Sequence, residues 1–277
     1  MKIQYLGTAA AEGIPAIFCQ CETCKKSRKA GGKNIRTRSQ ALIDDTILID
    51  LPADTYMHSL VNNIDLSKIH TCIITHDHGD HLYPLEIANR RNGFAHLDDG
   101  DTLDIYVTTP GYNKLALVKE KFDDNSQHRV QLHKIEQFES FVAQGYEINA
   151  FKAYHSKLCE PVFYAIKKDE KSILYAHDTG IFLEETWDAL KKYGTKFDLV
   201  SLDCTFSVQP WTEGEHMTLK SNAIVRDRLF EMGLADENTV FVANHFTHNG
   251  MATHDEIKKV ADEMGFITSY DGMVIEV

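Results

Sequence analysis

The stretch Ile73–Leu82, with the sequence IITHDHGDHL, decides the fold and the chemistry expected of this chain. It places three histidines and two aspartates directly after an apolar run that is typical of a buried strand. Burying so many polar groups is costly unless one partner satisfies them together. Neutral imidazoles and carboxylates are preferred ligands of zinc, manganese and iron, so the stretch predicts a metal site.

The spacing within this stretch suits two ions better than one. His76 and His78 are two positions apart and can flank one ion, whereas Asp80 and His81 lie beyond a turn and can serve a second. Four ligands from one loop cannot complete two sites, so further ligands are expected at the ends of other strands, on a rigid support.

Three later strand-like runs end in side chains that suit a metal: His155, Asp178 and His245. A carboxylate such as Asp178 can bridge two cations, which a neutral imidazole cannot do. We therefore expect the three runs to deliver these side chains to one rim of the molecule, beside the histidine-rich stretch.

Strand-like runs dominate two successive halves of the chain, and helical patterns are inserted between them. Helices are expected near 54–62, 81–91, 110–122, 183–193, 219–232 and 253–265, the last with a capping box of Thr253 and Glu256. No repeat or Pro/Gly/Ser-rich linker interrupts the pattern. This organisation predicts one α/β domain over residues 1–277, with two packed sheets covered by helices on their outer faces.

Composition and charge limit the partners. The net charge of −12 disfavours a long nucleic acid, and the one basic run, Lys25–Arg38, is expected to be a solvated loop. A small anionic substrate is still allowed, because bound divalent cations would dominate the local field. No apolar run approaches the ~20 residues that span a bilayer, and no secretory signal is evident, so we expect a cytoplasmic protein without a membrane partner.

The stretch THDHGDH, with the later His155, Asp178 and His245, resembles the metallo-β-lactamase superfamily, whose HxHxDH motif binds two metals in an αββα sandwich. The resemblance implies two mixed β-sheets flanked by helices. It implies one metal on the ligands His76, His78 and His155. It implies a second metal on Asp80, His81 and His245, with Asp178 bridging the two. Asp50, which ends the run TILID, matches an aspartate that orients ligands of the loop.

Two cations ~3.5–4 Å apart can convert a water into hydroxide near neutral pH and bind the oxygens of the electrophile. The leaving group then needs a proton. His216, in the loop SVQPWTEGEHMTL, is the candidate donor, since histidines suit acid–base work. His216 is therefore one candidate catalytic residue, and Asp80 of the metal-binding stretch is the other.

The stretch FCQCETC, Phe18–Cys24, holds three cysteines that could be disulfide partners, a redox pair or metal ligands. Clustered cysteines in a reducing compartment are more often metal ligands than disulfides. His248 lies three residues after His245 and can reach this segment if the strand before it ends at the metal rim. Cys19, Cys21, Cys24 and His248 would then form a closed structural zinc site, with a zinc-binding loop at about residues 18–35.

The run GTAAAEGIPAIFCQCETC, together with the HxHxDH set and an HxxH near the end, resembles the PhnP-type cyclic phosphodiesterases. This implies a structural zinc beside two catalytic metals, manganese or zinc with iron or nickel as alternatives. It implies that hydroxide at the metals attacks a small anionic phosphodiester, such as a cyclic ribosyl phosphate or nucleotide. It also implies a homodimer and a functional histidine at the place of His216.

Two alternatives remain open at this point. A lactonase or carboxyl-ester hydrolase of the same fold would use the same hydroxide on a carbonyl. A non-catalytic protein of the PqqB type shares the N-terminal CxCxxC, but it has little need of the complete second-metal set Asp80, His81, Asp178 and His245.

Overall fold

A computed structural model of the chain describes residues 1–210 and 213–277. Two seven-stranded sheets dominate these residues. The strands are β1 (Lys2–Gly7), β2 (Gln40–Ile43), β3 (Ile47–Ile49), β4 (Thr71–Ile73), β5 (Leu103–Val107), β6 (Val130–Lys134), β7 (Ser140–Ala143), β8 (Tyr146–Lys152), β9 (Val162–Lys168), β10 (Lys171–Ala176), β11 (Leu199–Asp203), β12 (Val240–Asn244), β13 (Ile267–Thr268) and β14 (Val274–Glu276). The α-helices are α1 (Glu22–Ala30), α2 (Thr55–Val61), α3 (Thr109–Lys119), α4 (Glu184–Tyr193), α5 (Leu219–Glu231) and α6 (His254–Glu263).

Each sheet comes from one half of the chain, as predicted, except that the last strand returns to the first sheet. The strand order is β14-β1-β2-β3-β4-β5-β6 in one sheet and β13-β12-β11-β10-β9-β8-β7 in the other. Strands β3 to β6 are parallel neighbours, as are β10 to β13, and the remaining pairs are antiparallel. The carboxyl ends of parallel strands meet at one edge, where ligands of open α/β sheets bind.

Three apolar layers hold the sandwich together. Between the sheets, Ile49 and Ile73 of the first sheet belong to the same buried cluster as Tyr164 of the second. Helix α3 covers the outer face of the first sheet through buried Leu115. Helices α4, α5 and α6 cover the outer face of the second sheet, with Trp187 of α4 among the largest fully buried side chains. The predicted αββα sandwich of two mixed sheets is confirmed.

The predicted loop over the basic run is wrong in its first part, because helix α1 covers Glu22–Ala30. The side chain of Cys21 caps this helix by accepting from the backbone N–H of Cys24, and Gly31 ends it at φ 64°. A glycine suits that left-handed position. The expected helix near 81–91 is a 3₁₀ helix over Pro84–Arg90.

No helix among the residues that the structure describes is long and apolar enough to cross a membrane.

Candidate metal centre

The candidate ligands lie just beyond the carboxyl ends of strands from both sheets. The HDHGDH stretch follows β4, and three further ligands follow β8, β10 and β12 respectively: His155, Asp178 and His245. Asp178 has φ 54° and His245 has φ 62°, left-handed values that are uncommon for residues other than glycine. Such strain persists only where the surrounding structure fixes it, and it collects at functional sites.

The first cluster consists of His76, His78, His155 and Asp178, which each offer one ligand atom within 4.8 Å of the others. His155 Nε2 lies 3.1 Å from His78 Nδ1, and His76 Nε2 lies 3.1 Å from Asp178 Oδ2. His76 and Asp178 are almost fully buried. The two histidines of the i, i+2 pair thus point into the same space, together with one that is distant in sequence.

The second cluster consists of Asp80, His81, Asp178 and His245, again with one ligand atom each within 4.8 Å. His81 Nε2 lies 3.0 Å from Asp178 Oδ2, 3.3 Å from Asp80 Oδ2 and 3.3 Å from His245 Nε2. All four residues are buried. Asp178 belongs to both clusters, so its carboxylate lies where a ligand shared by two ions would lie.

These donors fit divalent cations because the protein alone leaves some of them unsatisfied. In the described part of the chain, His76 Nε2 and Asp178 Oδ1 are buried and make no hydrogen bond of acceptable geometry, although His76 Nε2 lies 3.1 Å from Asp178 Oδ2 and Asp178 Oδ1 lies 3.2 Å from His216 Nδ1. Native proteins rarely bury unpaired polar atoms, and a bound ion is one of the few explanations. Imidazole and carboxylate groups together are also the donor set that suits zinc, manganese and iron.

Asp50, which follows β3, holds the second cluster in place. Its Oδ2 accepts from His81 Nδ1 at 2.7 Å, and its Oδ1 accepts from the backbone N–H and the hydroxyl of Thr75 at 2.8 and 2.9 Å. The Asp50 carboxylate is fully buried. Because His81 donates through Nδ1, its Nε2 lone pair is left to face the cluster, which is how carboxylates orient metal-binding histidines.

His216 lies beside both clusters and is half-buried. Its Nδ1 is 3.1 Å from Asp203 Oδ2 and 3.2 Å from Asp178 Oδ1. Burial alone would lower the pKa of His216, but the charge and hydrogen bond of Asp203, with the charge of Asp178, raise it. The imidazole therefore holds a proton more firmly than a free histidine does.

Asp203, the last residue of β11, contacts His216 and is a candidate functional residue that the sequence analysis did not select. Its Oδ1 accepts from the backbone N–H groups of Thr205 and Met217 at 3.0 and 2.8 Å, which fixes the carboxylate. Its Oδ2 lies 3.5 Å from Nδ1 of His245. The only local signal is that the apolar strand LVSLD ends in aspartate, as the run TILID before Asp50 does.

Neighbouring carboxylates also change the titration of His245. Burial would lower its pKa, but Asp178, Asp203 and Asp80 raise the pKa of His245 to about 10. A metal ligand must be deprotonated, so metal binding here releases a proton and weakens as the pH falls.

The three predicted cysteines and His248 form a separate cluster, with ligand atoms within 4.8 Å of one another. Sγ of Cys19 and Sγ of Cys21 each lie 3.5 Å from His248 Nδ1. Cys24 Sγ accepts from the backbone N–H of Ala16 at 3.3 Å, a contact that suits a thiolate ligand. Burial opposes ionisation of Cys21, but hydrogen bonds from Cys24 and His248 lower its pKa to about 6. The six cysteines are all free thiols, and this donor set fits a closed tetrahedral zinc site.

A cavity of about 290 Å³ opens over the His/Asp clusters. Several candidate ligands and His216 line it, together with residues from two further segments that the sequence reasoning did not select: Ala10, Ala11, Glu12, Thr247 and Asn249. Residues 10–12 belong to the run that resembles the PhnP-type proteins, but the sequence assigns them no role. Their place at the cavity depends on the packing of the N-terminal loop against the end of β12.

The fold and the clusters define a class of protein. Residues 46–255 match the family described as the β-lactamase superfamily domain, and the chain belongs to this family. Its predicted resemblance to the metallo-β-lactamase superfamily is confirmed, and its fold is similar to that of a PhnP-family protein. No curated protein sequence matches the chain.

Solved structures of the same fold include a diphosphatase from the PhnP family, with a TM-score of 0.73 and 19% identity, which covers 100% of this chain and 98% of that chain. Zn²⁺-bound PqqB from Methylobacterium extorquens has a TM-score of 0.69 and 16% identity, over 100% of both chains. The short form of human tRNase Z has a TM-score of 0.67 and 16% identity, over 100% of this chain and 99% of that chain. At these identities the likeness shows the fold.

Proposed function

We propose that this protein is a metal-dependent phosphodiesterase that hydrolyses a small phosphodiester, acting as one domain over residues 1–277. The observation that carries the proposal is a pair of four-ligand clusters that share Asp178 and open into one cavity beside His216. This arrangement supports hydrolysis by two metals rather than simple binding, since a structural ion needs only one closed site.

In this proposal His76, His78, His155 and Asp178 hold one cation, and Asp80, His81, His245 and Asp178 hold the other. Manganese or zinc is the first choice, with iron or nickel as alternatives, and Cys19, Cys21, Cys24 and His248 hold a structural zinc. Two bound divalent cations supply an activated water at neutral pH and neutralise charge on the phosphoryl oxygens.

The residues of the chain supply the proton transfers. His216 lies at the cavity with its Nδ1 held by Asp203 and a raised pKa, which suits a general acid that protonates the leaving oxygen. Asp80 also lines the cavity, and besides acting as a ligand its carboxylate can accept a hydrogen bond from the attacking water.

Substrate size and charge support a small phosphodiester. The cavity of about 290 Å³ suits a small molecule, and the net charge of −12 opposes a long polyanion. Among the structural neighbours, the diphosphatase of the PhnP family and the tRNase carry names that denote cleavage at phosphorus. The completeness of both clusters argues against a non-catalytic role.

The test is a comparison of substrates on metal-free protein reconstituted with manganese or zinc. Bis(p-nitrophenyl) phosphate, p-nitrophenyl phosphate and a lactone separate a phosphodiesterase from a phosphomonoesterase and a carboxyl-ester hydrolase. We expect metal-dependent turnover of the diester. Turnover of the lactone without the diester would replace this proposal with the carboxyl-ester alternative.

His216→Ala should lower kcat by about 10²- to 10⁴-fold, the usual contribution of a general acid, without loss of metal. His128→Ala is the matched control, because His128 is exposed and lies outside the cavity lining. Equal kcat values for the two variants would remove His216 from the mechanism.

A further inference from the structure

The cavity over the metal clusters carries a carboxylate that the proposed mechanism does not use. Glu12, in the loop between β1 and α1, lines the cavity together with His78, Asp80 and His216. Its Oε2 accepts from the hydroxyl of Thr247 at 3.2 Å. Thr247 is only 4% exposed and lies two residues after His245, so the Glu12 carboxylate is tied to the same strand end as a candidate ligand.

Among the described residues, no lysine or arginine side chain forms an ion pair with the Glu12 carboxylate. The positive groups nearby have other partners, since His216 Nδ1 lies 3.1 Å from Asp203 Oδ2, and Arg38, whose Nε donates to the Ala11 carbonyl, is paired with Asp54. Of the described residues that line the cavity, none is lysine or arginine. A second carboxylate stands nearby, since Oε2 of Glu215 lies 4.0 Å from His155 Nδ1. The side chain of Glu215 is half exposed, at 51%. Apart from the cations that the clusters would hold, the fixed charge around the cavity is therefore negative.

This charge arrangement has a direct consequence for substrates. A phosphodiester carries one negative charge, and two divalent cations can neutralise it where the reaction occurs. A further anionic group on the same molecule that reached Glu12 would be repelled by its carboxylate, which no lysine or arginine neutralises. A hydroxyl group in that place would instead donate a charge-assisted hydrogen bond to the Glu12 carboxylate.

We propose that Glu12 is a specificity-determining residue that selects phosphodiester monoanions whose remaining part bears hydroxyl groups and no second phosphate. This inference rests on the proposed phosphodiesterase function and narrows its substrate class. The inference predicts that a cyclic ribosyl phosphate with a free 5-hydroxyl is preferred over the same sugar with a 5-phosphate.

The experiment compares two substrates that differ only in that group: adenosine 2′,3′-cyclic phosphate and its 5′-phosphorylated counterpart. With the manganese-loaded protein, kcat/KM should favour the 5′-hydroxyl substrate by about tenfold, the scale of one like-charge contact that is largely screened by water, since Glu12 is exposed. Glu12→Gln keeps the shape and an acceptor for Thr247 but removes the charge, so the preference should fall to about threefold or less. Glu12→Lys should reverse it.

Glu231→Gln is the matched control, because Glu231 is exposed at the end of α5 and lies outside the cavity lining, and it should retain the tenfold preference. Metal content and circular dichroism show that each variant is folded and loaded. Equal or reversed preference in the natural protein, or an unchanged preference in Glu12→Gln, would overturn the inference while leaving phosphodiester hydrolysis in place.

A binding measurement gives a result that does not depend on turnover. Adenosine 3′-monophosphate should bind the manganese-loaded protein about tenfold more tightly than adenosine 3′,5′-bisphosphate does, and Glu12→Gln should close the gap. Equal affinity, or no binding of either nucleotide, would count against Glu12 as the selector. Absence of any phosphodiester turnover would instead refute the proposed function.

Discussion

Replacing Asp203 with asparagine tests whether His216 depends on a buried carboxylate partner. Asp203 is fully buried, and its Oδ2 lies 3.1 Å from His216 Nδ1. An asparagine with its oxygen at the Oδ1 position keeps the bonds from the backbone N–H groups of Thr205 and Met217. Its NH₂ group then faces His216 where Oδ2 was, and it cannot accept the Nδ1 proton.

The size of the effect follows from this one contact. A hydrogen bond to a charged group contributes about 1.5–3 kcal/mol, and each ~1.36 kcal/mol is tenfold in rate, so kcat should fall by roughly 10- to 100-fold. Asp203 raises the pKa of His216 against the effect of burial, and the variant loses that contribution. A general acid works protonated, and its protonated fraction falls as the pH rises through its pKa. The alkaline limb of kcat should therefore move to lower pH in Asp203→Asn.

The assay is kcat for a phosphodiester as a function of pH, with metal content measured on the same preparations. Metal analysis is needed because Asp203 Oδ2 also lies 3.5 Å from His245 Nδ1. Asp188→Asn, on the exposed face of α4, is the control and should match the natural protein. A fully loaded Asp203→Asn protein with unchanged kcat and an unmoved alkaline limb would refute the reasoning.

Three further predictions concern metal content and stability. His248→Ala should lose one zinc and about 10 °C in Tm, corresponding to about 3 kcal/mol, while the other two metals stay bound; loss of all three metals would mean that the sites are not separate. Asp50→Ala frees His81 Nδ1 and should weaken metal affinity by about 10- to 100-fold in a competition titration, and an unchanged affinity would contradict its orienting role. Thr253→Ala removes the N-cap of α6, where Glu256 completes a capping box, and should cost about 1 kcal/mol in urea unfolding, with unchanged unfolding as the contrary result.

Much of the sandwich is predictable from the sequence because its inner strands are continuously apolar. Strands β4 and β11 are buried along their whole length, so their apolar sequences alone predict strands. The sequence does not predict strands β7 and β13, which form the two edges of the second sheet. β7 is largely exposed and β13 has only two residues, so neither carries a strong pattern.

Helix α1 could not be predicted from the sequence for a different reason. Its sequence ETCKKSRKA is mostly polar, so no apolar periodicity separates it from a solvated loop. Its buried residues include Cys24, whose sulfur belongs to the cysteine cluster. The helix is thus supported by contacts made at its first turn, including one to His248 from the far end of the chain, which a local pattern cannot reveal.

The candidate site also contains some residues that the sequence predicts and others that it does not. The ligands in Ile73–Leu82 stand out because several polar metal-binding side chains follow one buried strand. Asp203 and Glu12 do not stand out, because an isolated acidic residue is common at a strand end or in a loop. Their proximity to His216 and to the cavity arises only when the strand ends of the second sheet and the N-terminal loop come together.

The central claim is that two cations share Asp178 in one hydrolytic centre. The most direct measurement is phosphodiester turnover while manganese is added stepwise to protein that retains only the cysteine-bound zinc. The account predicts that activity reaches its maximum at two added equivalents per chain. Full activity at one equivalent, or no activity at any loading, would contradict it.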